Sequence, residues 1–287
     1  MQNVLLGAVS LDIYTDSGLI LPGGGCLNMA YHWRQLGVPF TFITRIGQNH
    51  PEVFLDFLGR HQIAYLPASI VGRGAAAAID IAILPDGQPR MDNFVEGVWA
   101  DFAVTAVEQT LIAQAEHVHT VLVEGMIREL VRLGENGVWE RPLLTADFLD
   151  FRHFTVERLA EMMRWVDVGF VGWPGGVDDE RLLAMGQVAQ AQQKLLVVTL
   201  GSRGVRVFDG RSTAVMPDQF FPIQALPVLG TTVGCGDAFI AYFLAEFWPR
   251  MDVAAAVKQG AVGGAKALVW QRPLPDAAYN LPPQNDS

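Results

Sequence analysis

The chain has two cysteines in 287 residues, Cys26 and Cys235, too few for a disulfide framework. Each lies in a glycine cluster, GGGCLN or VGCGD, and reads as a small apolar filler close to a helix start. Lysine occurs three times and the net charge is −10, which disfavours nucleic acid or an acidic membrane surface as the main partner. No stretch reaches about 18 consecutive charge-free apolar residues. The opening MQNVLLGAVSLD lacks a basic segment followed by a long apolar one, so the expectation is a cytoplasmic protein with no membrane partner. His32, His117 and His119 show no metal-ligand spacing. GxxxxGK[ST] is absent, which excludes the usual P-loop, and GAVSLD after the first apolar run lacks the three spaced glycines of a dinucleotide fingerprint.

What is present is alternation. VLLGAV (4–9) reads as a strand, with Asp12 in a short polar excursion after it; GGG (23–25) hands over to the helix CLNMAYHWRQL, which Gly37 can close, and FTFITRIG begins another strand. In 75–94 two extended arms flank the turn PDGQ, and with YLPASIV before them they suggest a small separate sheet, a lid or dimerisation arm. Then VTAVEQTLIAQAE reads as helix, VHTVLVEG and LLTADFLD as strands, VERLAEMMRWV as helix, VDVGFVGW as strand, DERLLAMGQVAQAQQ as helix and LLVVTLGSRG as strand. Such repeats imply an α/β protein, an open and mostly parallel sheet between helix layers. In such sheets ligands gather outside the carboxyl ends of the strands. The tail RPLPDAAYNLPPQNDS (272–287) is expected to fray.

Three stations carry candidate chemistry. In TTVGCGDAFIAYFL, Gly234 and Gly236 can leave backbone amides bare at a helix start, a site suited to a phosphate. Asp237 follows directly. It reads either as a helix cap or as a carboxylate that takes a proton from an alcohol while the turn stabilises a transferring phosphoryl group. In VTLGSRG, Gly201 and Gly204 bracket a turn from which Arg203 could reach a phosphate; an ordinary turn into the hairpin GVRVFDGRSTAV is the other reading. At the front, Asp12 and Asn28 could converge on sugar hydroxyls, or stand as a solvated loop acid and a helix-start residue.

From LLGAVSLDIY through GGGCLNMAYHWRQLGVPFTFITRIG and VTLGSRG to TTVGCGDAFIAYFL and AAAVKQGAVGGAKALV, the chain resembles the ribokinase-like, or PfkB, carbohydrate kinases. DNFVEGVWADF, VDVGFVGWPGGVDDE and QGAVGGAK are most similar to fructosamine (fructoselysine) 6-kinases. The resemblance implies one three-layer α/β/α domain over 1–287 with a central mostly parallel sheet and a small β lid from segments within about 10–20 and 65–100. It implies ATP-dependent, magnesium-assisted phosphorylation of a hydroxyl on a sugar or sugar-amine adduct, and a homodimer through the lid. Asp237 becomes the general base and Gly234, Cys235 and Gly236 the anion hole, with cysteine where alanine is usual. Asp12, Gly24, Gly25 and Asn28 match the sugar-contacting positions. Thr199, Gly201, Gly204 and Thr232 fall on the nucleotide side, and Gly260 stands near the adenine where asparagine is frequent.

The pattern departs in two further places. Thr231 occupies a position commonly held by aspartate. The usual Asn-x-x-Glu is missing from VGWPGGVDDE, where Glu180, next to Asp179, is the nearest acid for a metal. Two alternatives therefore stand beside the sugar kinase: a nucleoside kinase of the same fold, and a non-catalytic sugar- or nucleotide-binding regulator.

Overall fold

The computed structural model describes residues 2–151, 154–211 and 217–282. In chain order its strands and helices are β1 (Asn3–Leu6), β2 (Ser10–Tyr14), β3 (Leu19–Gly23), α1 (Gly25–Leu36), β4 (Thr41–Ile43), α2 (Pro51–Arg60), β5 (Ala77–Ile83) and β6 (Pro89–Val95). They continue with α3 (Ala106–Gln114), β7 (His117–Val121), α4 (Glu124–Glu135), β8 (Leu143–Asp147), α5 (Val156–Met162), β9 (Val168–Gly172), α6 (Glu180–Gln192) and β10 (Leu195–Thr199). β11 (Val205–Asp209), β12 (Asp218–Phe221), α7 (Cys235–Arg250) and α8 (Val253–Ala267) complete the order. The chain divides into two compact units, Met1–Val4 with Val104–Ala225, and Leu5–Ala103 with Leu226–Ser287.

In the first unit, the apolar runs that read as strands covered on both faces form β7, β8, β9 and β10, paired in parallel. β11 and then β12 add on antiparallel at the β10 side. Leu195 to Val198 and Val168, Phe170 and Val171 are buried, as expected for a parallel sheet flanked by helices. α6 packs on β10 and β11. α3 begins in a capping box, with the Thr105 hydroxyl accepting from the Glu108 amide and the Glu108 carboxylate accepting from the Thr105 amide. α4, absent from the reading of the sequence, is an amphipathic helix burying Met126, Ile127, Leu130 and Leu133. Of the arm GVRVFDGRSTAV, residues 212–215 lie outside the described residues.

In the second unit, β3, β2, β5 and β6 form a separate four-stranded sheet. The PDGQ turn joins β5 and β6 as expected, but its other strands come from the N-terminal segment. YLPASIV instead forms a 3-10 turn, Pro67–Ser69, and bridges Tyr65 to Phe42 and Ile70 to Ile46. VLLGAV likewise ends as a strand at Leu6, and the Gly7 amide donates to the Ile43 carbonyl at 3.1 Å. Asp12 is therefore not on a loop; it sits inside β2, opposite Leu21 of β3.

The tail is ordered by packing as far as it is described. Leu274, Ala278 and Tyr279 are buried, and the Ala278 carbonyl accepts from His61 and Arg60. Pro275, extended at φ −62° and ψ 149°, leads into the 3-10 turn Asp276–Tyr279. Residues 283–287 lie outside the described residues.

Candidate active site

α7 explains why an acid stands at the lip of so apolar a helix. Ala238, Phe239, Ile240, Ala241, Phe243, Leu244, Phe247 and Trp248 are all buried, and each large apolar side chain taken out of water contributes roughly 1.5–3 kcal/mol. That burial anchors the helix, while in its first turn Gly236 is exposed and Asp237 partly exposed.

Gly234 caps α7 with φ 78°, and a Cβ there would lie 2.7 Å from Pro273 Cα. Only glycine meets both conditions. The Cys235 amide donates to the Thr232 carbonyl at 3.2 Å, and the Ala238 amide to Gly234 at 2.9 Å. Among the described residues, no backbone acceptor takes up the amides of Gly234, Gly236 or Asp237. A Cβ on Gly236 would meet nothing within 4 Å. Three unengaged N–H groups at the positive end of a helix, with open space beside Gly236, suit an anion. The Cys235 amide is not part of it, and burial beside Asp237 pushes the thiol up to about 12.

α1 and α7 run in parallel and are locked one turn in, where Trp33, fully buried, donates its indole N–H to the Ala241 carbonyl at 3.1 Å and packs on Trp248. One turn nearer their starts, Asn28 Nδ2 donates to Asp237 Oδ2 at 2.7 Å. Burial raises the Asp237 carboxyl above the ordinary carboxylate value, and the Asn28 bond opposes the rise. Asn28 Oδ1 is buried and has no partner among the described residues. One turn deeper, His32 stacks on Trp270 and meets Tyr242 edge-on; burial lowers it to about 4.

Asp12 enters the same electrostatic neighbourhood from β2. It is 5% exposed and accepts from the Ser10 hydroxyl at 2.9 Å. It is raised to about 7, chiefly by burial and further by the Asp237 charge, with Ser10 opposing. Its carboxyl lies where a Cβ on Gly23 would be, 2.1 Å away, so the glycine run lets a carboxyl press flat against backbone. Gly24 caps α1 and Gly25 begins it. Asp12, Asn28, Gly24, Gly25 and the 234–237 turn thus all belong to the second unit.

The VTLGSRG station belongs to the first unit. Thr199 ends β10, and Gly201 (φ 61°) and Gly204 (φ 125°) bracket a 3-10 turn. Arg203 corrects the expectation of a phosphate ligand: its guanidinium donates to the carbonyls of Leu200, Trp173, Pro174 and Gly175, fastening the turn to GWPGG. Gly260 has a packing role. It is buried in α8, where a Cβ would come within 2.8 Å of the Phe239 ring, so helix packing alone accounts for glycine at this position. Asp179 caps α6 by accepting from the Arg181 amide at 2.9 Å, and Glu180 is exposed. Among the described residues no group of three or more His, Cys, Asp or Glu side chains is disposed to hold a metal, and no helix is long and apolar enough to cross a membrane.

Residues 168–269, which include Asp237 and its turn, match the pfkB family carbohydrate kinases. That match spans about a third of the chain. Its relatives match over nearly their whole length. Fructoselysine 6-kinase of Escherichia coli (strain K12) is 26% identical over 280 residues, 92% of this chain and 96% of that protein. Cytidine kinase of Thermococcus kodakarensis is 27% identical over 279 residues, 90% and 92%. The ribokinase of Giardia lamblia has the same fold, with a TM-score of 0.78 at 14% identity over 98% of each chain. The chain thus has the ribokinase fold.

Two features of the site were illegible in the sequence. Pro273, in a stretch read as frayed, backs Gly234, and Gly87, read as a hairpin tip, reaches the loop before α7. The prolines of QRPLPD were the available signal for the first; nothing local signals the second.

Proposed function

We propose that this chain transfers the γ-phosphoryl group of ATP to a hydroxyl of a sugar or sugar-amine adduct, with Asp237 as general base. The observation that carries the reading is Asp237 in the first turn of α7, held by Asn28 and adjoining three unengaged amides. The acceptor hydroxyl gives its proton to the Asp237 carboxylate as its oxygen attacks the γ-phosphorus. The bond from that phosphorus to the β-bridging oxygen breaks, and ADP departs with the electron pair. The amides of Gly234, Gly236 and Asp237 balance the charge on the moving phosphoryl oxygens, which is where most catalysis of this reaction resides.

Asp12, Asn28, Gly24 and Gly25 form the acceptor side. A carboxyl held near 7, as Asp12 is, both donates to and accepts from sugar hydroxyls at neutral pH. Thr232, in the loop before α7, borders the nucleotide. With no cage of acids among the described residues, magnesium is assigned to the nucleotide phosphates and water. Thr231 in place of an acid agrees with that.

Phosphate transfer from ATP with magnesium to a panel of hexoses, ketose-amine adducts and nucleosides tests the reading. Phosphorylation of a ketose-amine or free sugar supports it. The cytidine kinase relative motivates the second reading, which preferential phosphorylation of a nucleoside would establish. Binding without transfer to any acceptor would make the chain a sensor.

A further inference from the structure

The tip of the β5–β6 hairpin is not free. Gly87 is buried, unusual for the apex of a two-stranded arm, and its carbonyl accepts twice from the loop before α7: from the Thr231 hydroxyl and from the Thr232 amide, both at 3.0 Å. The Thr232 hydroxyl donates to Gln88 Oε1 at 3.0 Å. Thr231 is fully buried; its hydroxyl also accepts from the Val233 amide at 3.2 Å, and its own amide donates to the Trp270 carbonyl at 2.8 Å. A Cβ on Gly87 would lie 2.7 Å from Val228 and 3.0 Å from the Gly230 carbonyl.

We propose that Thr231 is a positioning residue that fastens the small sheet to the anion turn, so that the strand carrying Asp12 and the amides at the head of α7 keep one register. The proposal rests on the kinase reading for its functional meaning and on geometry alone for the fastening. The path is continuous: Asp12 stands opposite Ile79 in the β2–β5 pairing, β5 runs to the Gly87 tip, and Thr231 leads to Gly234 three residues on. A hydroxyl donates to one partner and accepts from another at once. An aspartate here, ionised, would turn acceptor oxygens toward the Gly87 carbonyl in a place without solvent. Thr231 is therefore the working residue of this chain, rather than a lost acid.

The test combines hydrogen exchange of the hairpin in the whole protein with steady-state kinetics on the best acceptor. In T231V the amides of Leu84 and Gly87 exchange about tenfold faster, and kcat falls about tenfold or more while KM for ATP changes less than about threefold. T231S restores both to within about threefold, and T231D behaves as T231V or worse. Unchanged exchange in T231V, failure of T231S to restore it, or T231D equal to the parent overturns the proposal. If T231V does not fold, T231S decides alone: accelerated exchange there overturns it, and parental exchange with parental kcat supports it. Faster exchange in T231V of a parent that phosphorylates nothing upholds the fastening and removes the kinase reading.

Discussion

Asn28 and Asp237 are 209 positions apart in the chain and share a 2.7 Å hydrogen bond between the first turns of two parallel helices. Because Asn28 opposes the upward pull of burial on Asp237, it favours the ionised form as well as aiming the carboxylate. In Asn28→Ala the carboxylate loses a bond of the charged class, about 1.5–3 kcal/mol. kcat should fall roughly 10- to 100-fold, and the acid limb of kcat/KM should move to higher pH. A pH–rate profile checks this; a drop in kcat with an unmoved acid limb contradicts the role.

The two glycines of the anion turn should respond in opposite ways. Gly234→Ala meets a positive φ and Pro273, and should destabilise the fold by about 2 kcal/mol or more. Gly236→Ala projects its methyl into open space on a helix with ordinary φ, so stability should hold or rise by up to about 1 kcal/mol. If that space receives the phosphoryl group, the same variant should lose about tenfold or more in kcat/KM. Melting curves and kinetics on the pair check this, and a fully active Gly236→Ala would show the space unused.

Asp12 makes stability fall as pH rises. Its folded pKa is about 7 against an ordinary 3.8, so between those values the folded chain binds more protons than the unfolded one, and unfolding free energy declines with pH. The full loss above pH 7 amounts to up to about 4 kcal/mol. Asp12→Asn cannot ionise and should match the parent near pH 4 but exceed it by pH 8. Urea unfolding of both at pH 5 and 8 reads the difference; a gap that does not widen with pH rules out the buried carboxyl as its cause.

The parallel sheet was legible because strands such as LLVVT and VGFVG are continuous apolar runs, and α1 was legible because glycines bracket it. Asp237 was legible because a glycine pair before an acid is more than a cap requires. What escaped reading lies in long-range pairing. The residue pattern of GAVSLDIY does not tell that it leaves the first strand to join a second sheet, an expectation that came only with the family resemblance, and Gly87 looks like any turn glycine until Val228 and Thr231 close around it. Gly260 and Arg203 resemble ligand contacts in sequence; one is filled by a phenylalanine ring and the other is bonded to carbonyls of its own unit.

The most direct measurement is phosphate transfer by Asp237→Asn, with acceptor and ATP binding determined alongside. The amide preserves size and the neighbouring amides but cannot take the hydroxyl proton. Turnover should fall by about 10²- to 10⁴-fold while both dissociation constants stay within about threefold. Turnover retained within tenfold of the parent would contradict a general base at Asp237.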